Sequence, residues 1–176
     1  MPGTYPVRAW HLPGPCLAPG LYARAVSVTI RHVQPSDYGR VIQHVNAWWG
    51  GREMAPMLPR LFFIHFESTS FVADREDGTL AGFLIGFLSQ TDRETAYVHF
   101  IGVAPAERGS GLGRELYEHF FAAARSSGRS VVRCVTSPRN VDSLAFHAAL
   151  GFEQEGVAED YDGAGASRVL LARRLD

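Results

Sequence analysis

The sequence has few cysteines, no marked excess of either charge and no long apolar run. Its two cysteines, Cys16 and Cys134, lie far apart without metal-ligand spacing, which argues against a disulfide framework and a zinc site. No apolar run approaches the roughly 20 residues that span a bilayer, and the N-terminus has no signal-peptide pattern. The net charge of -1 cannot neutralise a nucleic-acid backbone or an anionic membrane surface. We therefore expect a cytoplasmic protein with no metal, nucleic-acid or membrane site.

What the chain does contain is enough apolar sequence for one domain. Its 176 residues are 46% hydrophobic and 20% charged, and a chain of this size buries a substantial core. Residues 1–27 are rich in proline and glycine, so no regular element can run far there. We interpret them as an extension, for which disorder, a partner-binding arm and a start-site artefact stay open. Residues 28–176 are predicted to form a single domain.

Apolar spacing and turn residues predict an alternation of strands and helices. Helices are predicted over 38–49, 57–66, 112–125 and 143–150. Strands are predicted over 28–33, 70–74, 79–89, 96–103 and 130–136, with two more around a turn at 162–165. Hairpins mixed with strand-helix-strand units predict an α/β fold of the α+β type. This is a mixed, largely antiparallel central sheet of about six to seven strands with helices on both faces.

The strongest local signal is the segment RGSGLG at 108–113, which follows a predicted strand and opens a predicted helix. Free amides at a helix N-terminus converge on an anion, and glycines let the backbone approach a phosphate closely. A glycine-rich turn that only reverses the chain explains such a segment equally well when no other motif accompanies it. The spacing is not the G-x-G-x-x-G of a dinucleotide fold, and the lysine and hydroxyl residue of a P-loop are missing. The loop alone therefore predicts only that an anion can sit there.

Two motifs in the correct order give that anion a chemical identity. Arg108, Gly111 and Gly113 fill the defined positions of Q/R-x-x-G-x-G/A, and this segment resembles the coenzyme A signature of the GNAT-type N-acetyltransferase superfamily. The segment 140–152, with an N-x-x-A/S start and an L-G-F end, is similar to a second motif of that family. The resemblance is close over 96–152 and implies a GNAT-like fold with acetyl-CoA as co-substrate. It also implies an acyltransferase that moves an acetyl group to a primary amine by direct attack in a ternary complex.

The resemblance further implies which residues contact the coenzyme. Backbone groups at the end of the strand before the loop take the pantetheine arm, and loop amides take the pyrophosphate. The residues implied are Ile101, Gly102, Val103, Arg108, Gly109, Ser110, Gly111, Leu112, Gly113, Arg114 and Asn140. Asn140 is equally well explained as a helix cap, because asparagine favours that position. For Arg114 a purely solvated role stays open, because an exposed arginine in a first helical turn is more often solvated than bound to a ligand.

Two histidines are the candidates for acid–base chemistry. The attacking amine must lose a proton, and an imidazole with an ordinary pKa of about 6.5 suits that task. His99 lies on the strand that supplies the base in several members of the family, and period-two alternation puts it on one face with Tyr97 and Ile101. His147, seven positions after Asn140, stands where the family usually has tyrosine. We hypothesise that it donates a hydrogen bond to the thioester sulfur or protonates the leaving thiolate. A structural role stays open for both histidines.

No motif selects the acetyl acceptor. An amine-bearing small molecule, a protein N-terminus and a lysine side chain all remain open, and Trp49 and Tyr97 are the candidates for the substrate pocket. The alternative function is a non-catalytic acyl-CoA sensor or regulatory module, which the missing motif tyrosine favours. Exposed sheet edges would permit a homodimer.

Overall fold

One seven-stranded sheet forms the centre of the molecule. The computed structural model describes residues 27–176, so the predicted extension lies outside the described residues except for Ser27. The strands are β1 Val28–His32, β2 Phe71–Arg75, β3 Leu80–Leu88, β4 Thr95–Val103, β5 Val131–Thr136, β6 Glu153–Ala158 and β7 Arg168–Arg174. Their order is β1-β2-β3-β4-β5-β7-β6, and only β4 and β5 run parallel. The predicted mixed, largely antiparallel sheet is confirmed.

Four α-helices connect the strands. They are α1 Asp37–Trp48, α2 Leu61–His65, α3 Leu112–Ser126 and α4 Val141–Ala149. The single helix predicted over 57–66 is wrong: only five residues are α-helical, between 3-10 turns at Ala55–Met57 and Glu67–Thr69. Pro56 and Pro59 lack a backbone N–H and fix their own φ angles, so a regular helix cannot extend through them.

The helices cover both faces of the sheet and enclose two apolar cores. On one face, α3 buries Leu116, Tyr117 and Phe120 completely against the sheet, and α4 adds partly buried side chains beside them. On the other face, α1 buries Val41 and Val45. We call these the α3 core and the α1 core. Residues on β4 therefore belong to one core or the other according to the face on which they emerge.

A buried carboxylate fixes α1 to the first two strands. Asp37 begins the helix and is only 2% exposed. It accepts two hydrogen bonds from the guanidinium of Arg31 (2.7 and 2.8 Å), one from the Gln34 amide (2.8 Å) and one from Arg40 (3.2 Å). Both arginines also bind Asp74 on β2, at 3.0 and 2.6 Å. The network thus ties β1, β2 and α1 together at one end of the sheet.

Candidate active site

The sheet opens between its two parallel strands. β4 and β5 pair only at Thr95 with Val131, Ala96 with Val132 and Tyr97 with Arg133. In the part of the chain that the structure describes, no pairing joins 98–103 to 134–136, and we call this opening the β4–β5 gap. The Ala104 amide donates to the Ala81 carbonyl of β3 (2.8 Å). Because backbone groups alternate in direction along an antiparallel pair, those of Ile101 and Val103 point into the gap.

The glycine-rich loop lies at the wide end of this gap, between β4 and α3. Gly109 and Gly111 have φ angles of 83° and 97°, in the left-handed region that favours glycine. Within residues 27–176, neither of their amides has a protein acceptor. The Leu112 amide is bound by the Ser110 hydroxyl (3.3 Å). The loop therefore presents free N–H donors at the start of a 15-residue helix, which is a favourable place for an anion.

Four of the predicted coenzyme residues also have structural partners. Arg108 donates to the Trp48 carbonyl (2.6 Å) at the end of α1, and Arg114 donates to the Ala149 carbonyl (2.9 Å) at the end of α4. A Cβ on Gly113 would lie 3.0 Å from the ring of Phe146. Asn140 caps α4, since its side-chain oxygen accepts from the Ser143 amide (3.3 Å). These contacts fix the loop between α1 and α4, and contact of these residues with coenzyme A stays a prediction.

His99 lies on a β-bulge. Adjacent residues of β3, Ile85 and Gly86, pair with Phe100 and Val98, so His99 is the extra residue of β4. Before the bulge, Val98 belongs to the α3 core. After it, Phe100 belongs to the α1 core and Ile101 packs against the α3 core. The expectation that Ile101 shares a face with His99 is therefore wrong, because the bulge shifts the alternation by one residue.

The His99 ring is held in one orientation. Its Nε2 lies 2.8 Å from the Met57 carbonyl, and the ring stacks on Phe62 with centroids 4.4 Å apart. A carbonyl only accepts hydrogen bonds, so in the neutral ring Nε2 carries the proton and Nδ1 keeps its lone pair. Burial lowers the pKa of His99, and the Met57 carbonyl and the charge of Asp162 offset only part of that effect. The neutral imidazole is thus the stable form near pH 7.

Residues of the last hairpin complete this face of the sheet. Tyr97 stacks on Phe87 (5.3 Å) and lies near Tyr161 in the β6–β7 loop, and burial raises the pKa of Tyr97. A cavity of about 100 Å³ is lined by both tyrosines together with Arg133 and Glu155. Tyr161 is a residue of this face that was not predicted from the sequence. The turn at 162–165 was visible as a turn, but nothing local indicated that it folds back over β4.

Trp49 packs on the α1 face of β4. Its ring lies 5.3 Å from that of Phe100 and 6.2 Å from that of Phe83. A Cβ on Gly102 would come within 2.8 Å of this indole and 2.7 Å of Phe83. Gly102 therefore allows the indole to lie directly on β4, on the same face as His99.

His147 is enclosed within the protein. It is only 4% exposed, and its Nδ1 lies 2.7 Å from the Ser143 carbonyl while its Nε2 lies 2.8 Å from the Tyr117 hydroxyl. Burial lowers its pKa, and the Ser143 carbonyl opposes this only in part. A role of His147 at the thioester sulfur stays a prediction, and its contact with Tyr117 was not predicted from the sequence.

Residues 27–176 contain neither a cluster of metal-ligating side chains nor a membrane-spanning helix. No group of three or more histidine, cysteine, aspartate or glutamate side chains there is placed to hold a metal ion. No helix in the same range is long and apolar enough to cross a membrane.

Several known acetyltransferases resemble this chain in sequence or in fold. L-2,4-diaminobutyric acid acetyltransferase of Nocardia farcinica is 34% identical over 85 residues, which cover 48% of this chain and 44% of that protein. N-alpha-acetyltransferase RimI of Mycobacterium tuberculosis is 32% identical over 105 residues, covering 59% and 65%. The chain thus matches less than two thirds of either relative's length. The solved structure of Ard1 from Thermoplasma volcanium superposes with a TM-score of 0.72 at 22% identity, over 86% of this chain and 99% of that one.

A match to one protein family covers both sequence motifs, the β4–β5 gap and both histidines. The model described as the acetyltransferase (GNAT) family matches residues 38–152, which runs from the start of α1 to the end of the second motif. This is well over half of the chain, and it includes the gap, the loop and both histidines. The resemblance seen in the sequence is confirmed: this chain belongs to the acetyltransferase (GNAT) family.

Proposed function

We propose that this protein transfers an acetyl group from acetyl-CoA to a primary amine, by direct attack while both substrates are bound. The observation that carries the proposal is the β4–β5 gap, where the backbone groups of Ile101 and Val103 are unpaired. An extended chain with its own amides fits such an edge, because it forms the missing ladder hydrogen bonds. The free loop amides beside α3 suit a pyrophosphate at the same end.

The acceptor amine approaches from the face that carries His99. The amine nitrogen forms a bond to the acetyl carbonyl carbon, the C–S bond breaks, and the sulfur leaves with the electron pair. His99 takes the proton that the amine gives up, through the lone pair on Nδ1, while its Nε2–H stays on the Met57 carbonyl. A lowered pKa keeps this nitrogen available at neutral pH. Trp49 and Tyr97 form the walls of the acceptor pocket.

The acceptor is a primary amine on a small molecule or at a protein N-terminus or lysine. The two relatives described above are named for a diamino acid and for a protein α-amino group, so both chemistries occur among similar chains. Formation of a homodimer remains a prediction from the exposed edges of the sheet.

A thiol-release assay tests the function. Acetyl-CoA is mixed with the protein and a panel of amines that includes diaminobutyrate, a polyamine, a peptide with a free N-terminus, and a lysine peptide with a blocked N-terminus. We expect free thiol in proportion to acetylated product for at least one class. Tight binding of coenzyme A with no thiol release from any amine in the panel would favour the sensor alternative instead.

Replacing Gly111 with alanine tests the coenzyme loop. Gly111 has a φ of 97° and nothing within 4 Å of an added Cβ, so the cost is purely one of backbone conformation. That cost is about 1–2 kcal/mol. The free loop of the variant relieves this strain by leaving the conformation that presents its amides, and binding restores the strain. We therefore expect the affinity for coenzyme A, measured by titration calorimetry, to weaken about tenfold.

The matched control for Gly111→Ala is Gly128→Ala. Gly128 follows α3 with a φ of 70° and equally open surroundings, so it carries the same backbone penalty far from the loop. Its affinity for coenzyme A should equal that of the wild type. Equal affinities for all three proteins would remove the loop from the coenzyme site.

A further inference from the structure

A cavity of about 100 Å³ lies between β4 and the last hairpin of the sheet. Tyr97 and Tyr161 form two of its walls, and strands β5 and β7 contribute Val135 and Leu170. Tyr161 is 51% exposed, and Tyr97, Val135 and Leu170 are each partly exposed. The walls of the cavity are therefore in contact with solvent, and a ligand reaches them without opening either core.

A row of aromatic side chains joins this cavity to His99. The ring of Tyr97 lies 5.3 Å from that of Phe87, and the ring of Phe87 lies 6.5 Å from that of Phe62. Phe62 in turn stacks on His99 with centroids 4.4 Å apart. Burial lowers the pKa of His99, and the charge of Asp162 in the β6–β7 loop opposes that effect, so the loop lies within electrostatic range of the imidazole. The cavity thus lies on the same face as His99 and close to it.

The cavity is lined by apolar and aromatic residues and by one ion pair. Arg133 and Glu155 are the charged residues of the lining, and their side chains bind each other. Asp162, the residue after Tyr161, is bound in the same way by Arg168 at 2.6 Å. A second ammonium group on the acceptor would have to break one of these pairs to gain a partner, and a desolvated charge without a partner is costly. The lining therefore disfavours diamines and polyamines and favours an apolar group.

We propose that the acceptor amine carries a branched aliphatic or aromatic group and that this group occupies the cavity between Tyr97 and Tyr161. The inference rests on the acetyl-transfer function proposed above. An apolar cavity of about 150 Å³ holds a benzene molecule, so this cavity of about 100 Å³ takes the branched end of a short chain or part of a ring. Tyr97 precedes His99 by two residues, about 7 Å along a strand. A linker of about three bonds and one hydrogen bond span that distance.

Two amines with the same four-carbon chain test the preference. 3-Methylbutylamine carries a methyl branch near its far end, whereas 1,4-diaminobutane carries a second ammonium group there. We expect kcat/KM for thiol release to be at least tenfold higher for 3-methylbutylamine, because one methylene group in an apolar pocket changes this ratio roughly 10–200-fold. Peptides with an N-terminal leucine or an N-terminal lysine repeat the comparison for a protein acceptor, and there we expect the leucine peptide to be preferred.

Tyr161→Ser removes one wall of the cavity at an exposed position. We expect kcat/KM for 3-methylbutylamine to fall about tenfold and that for 1,4-diaminobutane to stay within about twofold. A purely structural effect would lower both values alike. Val157→Ser is the matched control, because Val157 is a 53% exposed apolar residue of the same hairpin and does not line the cavity. It should keep the wild-type values for both amines.

Equilibrium binding separates the cavity from the reaction. Dissociation constants for both amines are measured by calorimetry in the presence of coenzyme A, with wild type and Tyr161→Ser. Tighter binding of 3-methylbutylamine that is lost in the variant supports the cavity, and in a wild type that releases no thiol it refutes acetyl transfer alone. Thiol release that is fastest with 1,4-diaminobutane, or a preference that survives in Tyr161→Ser, overturns the cavity assignment and leaves acetyl transfer intact. Faster transfer from butyryl-CoA than from acetyl-CoA, with equal use of both amines, would assign the cavity to the acyl chain and overturn the proposal as well.

Discussion

Replacing His99 with glutamine is expected to lower kcat at least a hundredfold and to leave coenzyme A binding unchanged. A positioned general base accelerates the reaction about 10²–10⁴-fold. The glutamine amide preserves a donor toward the Met57 carbonyl, which His99 Nε2 approaches at 2.8 Å, but it has no basic lone pair. The measurement is thiol release at saturating acetyl-CoA and amine, beside calorimetric titration of coenzyme A.

His32→Gln is the matched control for this substitution. His32 also places a ring nitrogen 3.0 Å from a carbonyl, that of Glu67, and its ring lies 4.6 Å from that of Phe71. It is on β1 at the edge of the sheet, away from the gap. We expect wild-type kcat for His32→Gln. A His99→Gln enzyme that retains more than half of the wild-type kcat would rule out His99 as the base.

The pH profile gives a second signature of the same histidine. Burial lowers the pKa of His99, so the basic form persists below the ordinary value of about 6.5. Activity is lost only as pH falls through the lowered folded-state pKa. We therefore expect the acidic limb of kcat/KM to lie below pH 6.5 in the wild type and to disappear in the residual activity of His99→Gln. An identical limb in both proteins would assign it to another group.

Replacing Asp37 with asparagine is expected to cost about 3 kcal/mol of unfolding free energy. Breaking a buried ion pair costs about 3–5 kcal/mol, and the lower end applies because the Arg31 and Arg40 side chains are both 35% exposed. Urea unfolding of wild type and variant measures the difference. Glu118→Gln, at an exposed position on α3, should stay within about 0.5 kcal/mol of the wild type. A similar small change in Asp37→Asn would show that the network adds nothing to stability.

The Asp37 effect should also depend on pH in a defined direction. Burial alone would raise the pKa of the Asp37 carboxyl, but the hydrogen bonds from Arg31 and Gln34 and the charges of Arg31 and Arg40 outweigh it and lower the pKa. The contribution of the Asp37 carboxylate to the free energy of unfolding is therefore complete above the ordinary aspartate pKa near 4. It is lost as pH falls through the lower folded-state pKa. Unfolding free energies of wild type and Asp37→Asn should converge in acid. A constant difference down to pH 2 would point to packing instead of charge.

Much of the fold could be predicted because its signals are local. The β4 strand, the glycine loop and α3 are each specified by residues close together in the sequence. All three lie where the sequence predicted them. Helix α4 begins at Val141, two residues before the start that the apolar pattern predicted, because the Asn140 side chain caps the helix there. The broken α2 region was missed, although Pro56 and Pro59 were visible, because the aromatic spacing around them imitates a helical face.

The sequence by itself determined the alternation of strands and helices, the loop of glycines before α3 and the family to which those motifs belong. Each of these depends on side-chain period, turn geometry or short spacing, which neighbouring residues set. Only the tertiary structure decided the bulge at His99, the Met57 carbonyl that fixes its tautomer and the pairing of Tyr117 with His147. These features join residues 30 or 42 positions apart or depend on the register between two strands. No local pattern specifies such contacts, because they form only when separate elements pack together.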